Sequence, residues 1–91
     1  MLYSRNYEKD KTLEVYVVKD YVDRDGCMNL VIRVEEVENR DHYSEWRLPD
    51  IFCYKSYGFS ENEEFKMQNY LTRNEAIIWD DWREAKSCRK P

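Results

Sequence analysis

The chain has 91 residues, of which 42% are hydrophobic, 15% aromatic and 37% charged, and its net charge is −4. This length suits one domain over residues 1–91 and leaves little room for a deep pocket. No apolar run is long enough for a membrane span or a signal-peptide core. The acidic balance is spread evenly and excludes a basic nucleic-acid binder. We therefore expect a cytoplasmic protein with no membrane or nucleic-acid partner.

The cysteine and histidine content argues against metal sites and disulfides. Cys27, Cys53 and Cys88 are scattered without a Cys-x-x-Cys pair, and His42 is the single histidine. An odd number of isolated thiols is typical of neither a disulfide framework nor a zinc site. The two glycines are too few for a phosphate-binding or dinucleotide-binding loop. We expect no bound metal, no disulfide and no cofactor.

The first half of the chain has the period of β-strands. Residues 1–12 are polar and non-periodic, which indicates an N-terminal arm or a short edge strand. Apolar and polar side chains alternate over residues 13–22 and again over residues 28–35, with a turn at Asp23–Gly26 between them. This pattern predicts a β-hairpin as the first unit of an antiparallel sheet.

The middle of the chain continues this alternation. Residues 43–48 predict a third strand, which Pro49 ends because proline cannot donate to a strand ladder. Residues 51–57 are consistent with a fourth strand. We expect an antiparallel sheet of three to four strands.

Two capping boxes follow the predicted strands. In this motif a Ser or Thr hydroxyl accepts a hydrogen bond from the backbone three residues later, and a Glu there reaches back. The motif occurs at Ser60 with Glu63 and at Thr72 with Glu75. We predict an α+β fold in which the sheet packs against two C-terminal helices or one kinked helix.

The in-phase apolar positions of all these segments predict the hydrophobic core. They are Leu13, Val15, Val17, Leu30, Ile32, Val34, Trp46, Leu48, Phe65, Leu71, Ile78 and Trp82. Of the helical residues in this set, Leu71, Ile78 and Trp82 form one stripe, and Phe65 is expected to face the sheet.

The last third of the chain contains a glycine, an aromatic residue and a serine, then an asparagine, and then an apolar segment with a tryptophan. These positions are Gly58, Phe59, Ser60, Asn74, Ile78 and Trp82. Here the chain resembles a family of small bacterial proteins of unknown function that are often found near toxin–antitoxin loci. Those relatives usually carry a Pro-Pro-His-x-His segment that is missing here, so the resemblance implies a sheet with helices but no metal or catalytic site.

Cys53 can be interpreted as a catalytic or as a structural cysteine. Cys53 and His42 are the residue types of a Cys–His nucleophile. Neither lies in a sequence that activates such a pair, which favours a solvated histidine and a buried thiol. We expect no enzymatic activity.

Aromatic residues are the most distinctive component, with eight Tyr, three Trp and three Phe. This number exceeds what the core of so small a domain holds, and Tyr, Trp and Arg are enriched at interface anchors. Tyr16, Arg33, Tyr54 and Trp79 are the candidate binding residues. The alternative is that these rings only cover the edges of the core.

The sequence favours a non-enzymatic interaction module, such as an inhibitor or antitoxin-like protein of a phage or other mobile element. It would bind and block a larger protein, or self-associate, through an aromatic and arginine surface. The alternative is an oligomeric protein that sequesters a small ligand or a nucleotide in a pocket between subunits.

Overall fold

The computed structural model describes residues 1–88, which form five strands followed by one helix. The elements are β1 Leu2–Tyr7, β2 Thr12–Val22, β3 Met28–Glu36, β4 Asn39–Leu48, β5 Phe52–Tyr57 and α1 Glu61–Cys88. All neighbouring strands pair antiparallel, in the order β1-β2-β3-β4-β5. The α+β class and the C-terminal position of the helix are confirmed. The sheet has one strand more than the three to four expected, with β1 as the edge strand that was one alternative for residues 1–12, and the helical part is one helix and not two.

Strand β1 lies at one edge of the sheet, beside β2. Its polar side chains show no strand period, so the sequence leaves both an arm and an edge strand open; in the structure it pairs with β2 and also contacts distant residues of α1. The hydroxyl of Tyr3 donates to Asn74 of α1 over 3.1 Å, and the hydroxyls of Ser4 and Tyr70 lie 2.6 Å apart. These hydrogen bonds fix the start of the chain against the helix.

The helix is continuous through the point at which a second helix was expected to begin. Ser60 forms the first capping box: its hydroxyl accepts from the backbone N–H of Glu63 over 3.2 Å, and its own N–H donates to the Glu63 carboxylate over 3.0 Å. Thr72 instead donates its hydroxyl to the carbonyl of Gln68 over 2.8 Å. This bond satisfies a threonine inside a helix, so the second predicted helix start is wrong.

The two hydroxyl residues should therefore respond differently to alanine. Ser60→Ala is expected to lower the free energy of unfolding by about 0.5–2 kcal/mol, because it removes an N-cap. Thr72→Ala is expected to be neutral or slightly stabilising, because alanine has the higher helix propensity. Urea unfolding followed by circular dichroism measures both. Equal losses in the two variants would place a helix start at each position.

The helix packs its apolar stripe on one face of the sheet. The buried core consists of Leu13, Val15, Val17, Leu30, Ile32, Val34, Trp46, Leu48, Met67, Leu71, Ile78 and Trp82. The prediction that Phe65 belongs to the core is wrong, because this residue is 62% exposed. A helix turns by about 100° per residue, so Met67 lies about 40° from Leu71, and Phe65 about 120° from it. Met67 therefore takes the core position.

Within residues 1–88, no helix combines the length and the apolar character needed to cross a membrane.

Candidate interaction surface

The face of the sheet opposite α1 is covered by no element of the part of the chain that the structure describes. We call it the open face. Side chains that are directly paired across strands share a face, so the strand register identifies its members. It presents Arg5, Glu14, Tyr16, Arg33, Glu35, Tyr43, Glu45, Arg47, Phe52 and Tyr57.

Glu14 is the centre of a polar network on this face. It lies between two core residues of β2, and only 3% of it is exposed. Its carboxylate accepts hydrogen bonds from the Tyr16 hydroxyl and an Arg40 guanidinium nitrogen, both over 2.6 Å, and from Arg5 over 2.6 and 2.9 Å. The bonds from Tyr16, Arg40 and Arg5 lower the pKa of Glu14 to about 2. This carboxylate is ionised at neutral pH and saturated with donors.

The network continues across β3 and β4. Arg40 also donates to Glu35 over 3.0 Å, and Arg33 bridges Glu35 at 2.6 Å and Glu45 at 2.9 Å. Guanidinium and carboxylate groups therefore alternate across four strands. We call this run, Arg5–Glu14–Arg40–Glu35–Arg33–Glu45, the ion-pair row.

Aromatic rings flank the ion-pair row on β4 and β5. The Arg33 guanidinium lies 3.7 Å from the centre of the Tyr43 ring, whose own centre is 5.2 Å from that of Tyr57. Further along, the Arg47 guanidinium lies 5.2 Å from the Phe52 ring. Tyr57 is 52% exposed and Phe52 50%. Exposed aromatic rings close to arginine side chains are the usual composition of a binding hot spot.

Three of the four candidate binding residues lie on the open face. Tyr16 and Arg33 are paired directly across β2 and β3. Tyr54 lies at an irregularity of β5, and its pKa is raised by burial and by the nearby charge of Glu45. The extra residue at this bulge shifts the alternation of β5, which the sequence pattern does not show.

Trp79 does not join that surface. It lies on α1, partly buried against the core on the other side of the sheet, and its indole N–H donates to Glu75 over 3.1 Å. No single surface contains all four candidates, because helix and open face are separated by the thickness of the sheet.

The pairing of Glu14 with Arg40 could not be predicted from the sequence. The available signal was a glutamate at an outward position of the otherwise apolar segment Leu13–Val17. Its partner Arg40 is 26 residues away, so the pairing depends on the strand register.

The two residues of the imagined Cys–His pair have other partners. The His42 ring lies against the Glu36 carboxylate, with 2.6 Å between Nδ1 and Oε2. The Cys53 thiol donates to the carbonyl of Lys55 over 3.2 Å, and burial raises its pKa. A raised pKa disfavours the reactive thiolate.

Comparisons with protein-family models, curated proteins and solved structures gave no significant match to this chain.

Proposed function

We propose that this protein is a non-enzymatic interaction module that docks on a larger protein through its open face, as an inhibitor or an antitoxin-like protein does. The observation that supports this most is the cluster of Arg33, Tyr43 and Tyr57 on a sheet face over which no element of residues 1–88 lies. Large rings and arginine bury much area with few rotatable bonds, which is why they anchor protein interfaces.

The ion-pair row favours a protein over a nucleotide or nucleic acid as the ligand. The guanidinium groups of Arg5, Arg33 and Arg40 already bind carboxylates. A phosphate would have to displace those carboxylates and leave Glu14, buried and ionised, with fewer donors. A protein surface can contact the outer faces of the paired groups and the rings without breaking the row.

The same row reduces the entropy lost on binding. Each arginine in it is held by at least one carboxylate within 3.0 Å. Side chains that are fixed before association lose little rotamer freedom on docking. The open face is therefore a preorganised docking surface, whose arginine side chains are held in place before a partner binds.

The decisive substitution is Tyr57→Ala, because this ring is half exposed and contacts Tyr43 but not the core. We expect a nearly unchanged melting temperature and a loss of binding free energy of about 2 kcal/mol, as for a hot-spot residue. The immobilised full chain first isolates the partner from extracts of its source cells. Titration calorimetry with the purified partner then gives Kd for both forms.

Phe65→Ala is the matched control, since Phe65 is also an exposed ring but lies on α1 on the other side of the sheet. It should bind the partner as the wild type does, and Trp79→Ala tests the helix side in the same way. Binding that survives Tyr57→Ala but is lost in either helix variant would move the interface to the helix. Loss of biological activity only in Cys53→Ser or His42→Ala would favour an enzyme instead.

A further inference from the structure

A recess lies on the helix side of the sheet, away from the open face. It is a cleft of about 470 Å³ between the loop that joins β1 to β2 and the first half of α1. Its floor is apolar and consists of Leu13, Val15, Val34 and Met67. The volume falls within the range of small-molecule sites, about 300–1,000 Å³.

Two contacts tie the walls of this cleft together. Lys11 of the loop forms an ion pair with Glu63 of α1 at 2.6 Å, and Ser4 of β1 lies 2.6 Å from the hydroxyl of Tyr70. Glu63 and Tyr70 are about two helical turns apart. The cleft is thus a fixed recess between two braces.

The helix wall of the cleft carries two cations that have no ion-pair partner among residues 1–88. Lys66, Asn69, Tyr70 and Arg73 line it, and their spacing of three, four and seven residues places them on one helix face. Neither Lys66 nor Arg73 forms an ion pair with any residue in 1–88, and the Asn69 amide forms no hydrogen bond there. Two positive charges and an amide are therefore available to a ligand.

The loop wall has mixed charge. Glu8, Lys9 and Asp10 are exposed at the tip of the β1–β2 connection. Lys11, which follows them, is paired with Glu63. These loop residues add two acids and one more cation, Lys9, which forms no ion pair within the described part of the chain. Lys66 and Arg73 lie in α1, beside the apolar floor. They therefore form the polar end of the recess.

We propose that this cleft binds a small amphipathic anion. Its apolar body covers the floor of Leu13, Val15 and Met67, and its carboxylate, sulfate or phosphate group binds Lys66 and Arg73. Charge-assisted hydrogen bonds from these two groups give the site its preference for an anion over a neutral molecule. This site is independent of the open face and of its protein partner.

The test is a titration of the ¹⁵N-labelled full chain with decanoate below its micelle concentration, followed by NMR. Saturable binding of one decanoate per chain is expected, with shifts confined to the cleft. The double variant Lys66→Gln/Arg73→Gln should bind it about tenfold more weakly or worse, because it loses both charge-assisted contacts. Neutral 1-decanol should bind the wild type more weakly than decanoate does. Its affinity for the double variant should equal its affinity for the wild type.

A matched control removes the same charge from the other side of the sheet. Lys19→Gln/Lys55→Gln should keep the wild-type affinity for decanoate, because neither residue lines the cleft. Asn69→Phe, at an exposed helix position, should fill the mouth of the cleft and abolish binding without unfolding the chain. Circular dichroism melts verify that each variant is folded.

The contrary results are specific. Shifts that map to the open face, or equal weakening in both double variants, would overturn the proposal. So would unchanged decanoate affinity in Asn69→Phe, or binding of phosphatidylglycerol vesicles with no saturable binding of decanoate. Failure of this site leaves the Tyr57→Ala test unaffected.

Discussion

Trp82→Ala is expected to lower the free energy of unfolding by about 3–5 kcal/mol, which is most of the stability of a marginal domain. Trp82 is 8% exposed and is the last large side chain of the helix stripe in the core. Its indole N–H also donates to Asp20 of β2 over 2.7 Å, and Lys86 binds the same carboxylate at 2.6 Å. The substitution removes the apolar burial and one of these two contacts between the last turns of α1 and the sheet.

Phe65→Ala is the control for this effect, because it truncates an aromatic residue of the same helix that is 62% exposed. It should change the free energy of unfolding by no more than about 0.5 kcal/mol, as surface substitutions do. Urea unfolding at pH 7 with circular dichroism compares the two variants. A Trp82→Ala midpoint equal to that of the wild type would mean that α1 packs through a different face.

The sequence predicts those strands and the helix whose apolar residues recur at regular spacing. Leu13, Val15 and Val17 alternate strictly, and Leu71 and Ile78 recur at seven, so both the hairpin and the helix stripe follow from spacing alone. These residues are buried as expected. When one face of a strand or helix is buried, apolar residues recur with a fixed period. This period can be read from the sequence without knowing any tertiary contact.

Features fixed by distant contacts leave no such trace. Strand β1 is polar, and it is held by hydrogen bonds from Tyr3 and Ser4 to a helix more than 60 residues away. Thr72 repeats the capping pattern, yet its hydroxyl is satisfied inside the helix. A capping motif describes what a helix start needs and is not sufficient to create one.

The candidate surface shows the same division. Tyr16 and Arg33 were found because outward positions of alternating strands are easily assigned, and both lie on the open face. Trp79 is a candidate because it lies three residues before Trp82 and both rings cannot be fully covered, but the helix places it on the opposite side of the sheet. The ion-pair row needed the register of four strands, since Arg40 and Glu14 meet only when β2, β3 and β4 are paired.

Glu14→Gln is expected to destabilise the protein at pH 7. It should also make the stability depend less on pH in the acid range. The variant keeps the shape of the side chain but removes the charge that binds Arg5 and Arg40 on either side. The pKa of Glu14 is about 2 in the folded chain, against an ordinary value of 4.5. Because the folded pKa is lowered, the stabilisation is complete above pH 4.5 and is lost as the pH falls towards 2.

The wild type and the variant should therefore differ most in melting temperature near pH 7, and the gap should narrow steadily below pH 4.5. The lowered pKa values of Asp20, Asp50 and Glu63 give both proteins a common acid slope, so the difference between them isolates Glu14. Glu8→Gln removes the same charge from an exposed loop and should leave the melting curve close to that of the wild type. A gap that stays constant from pH 7 to pH 2, or an equal effect of Glu8→Gln, would show that the ion-pair row does not depend on an ionised Glu14.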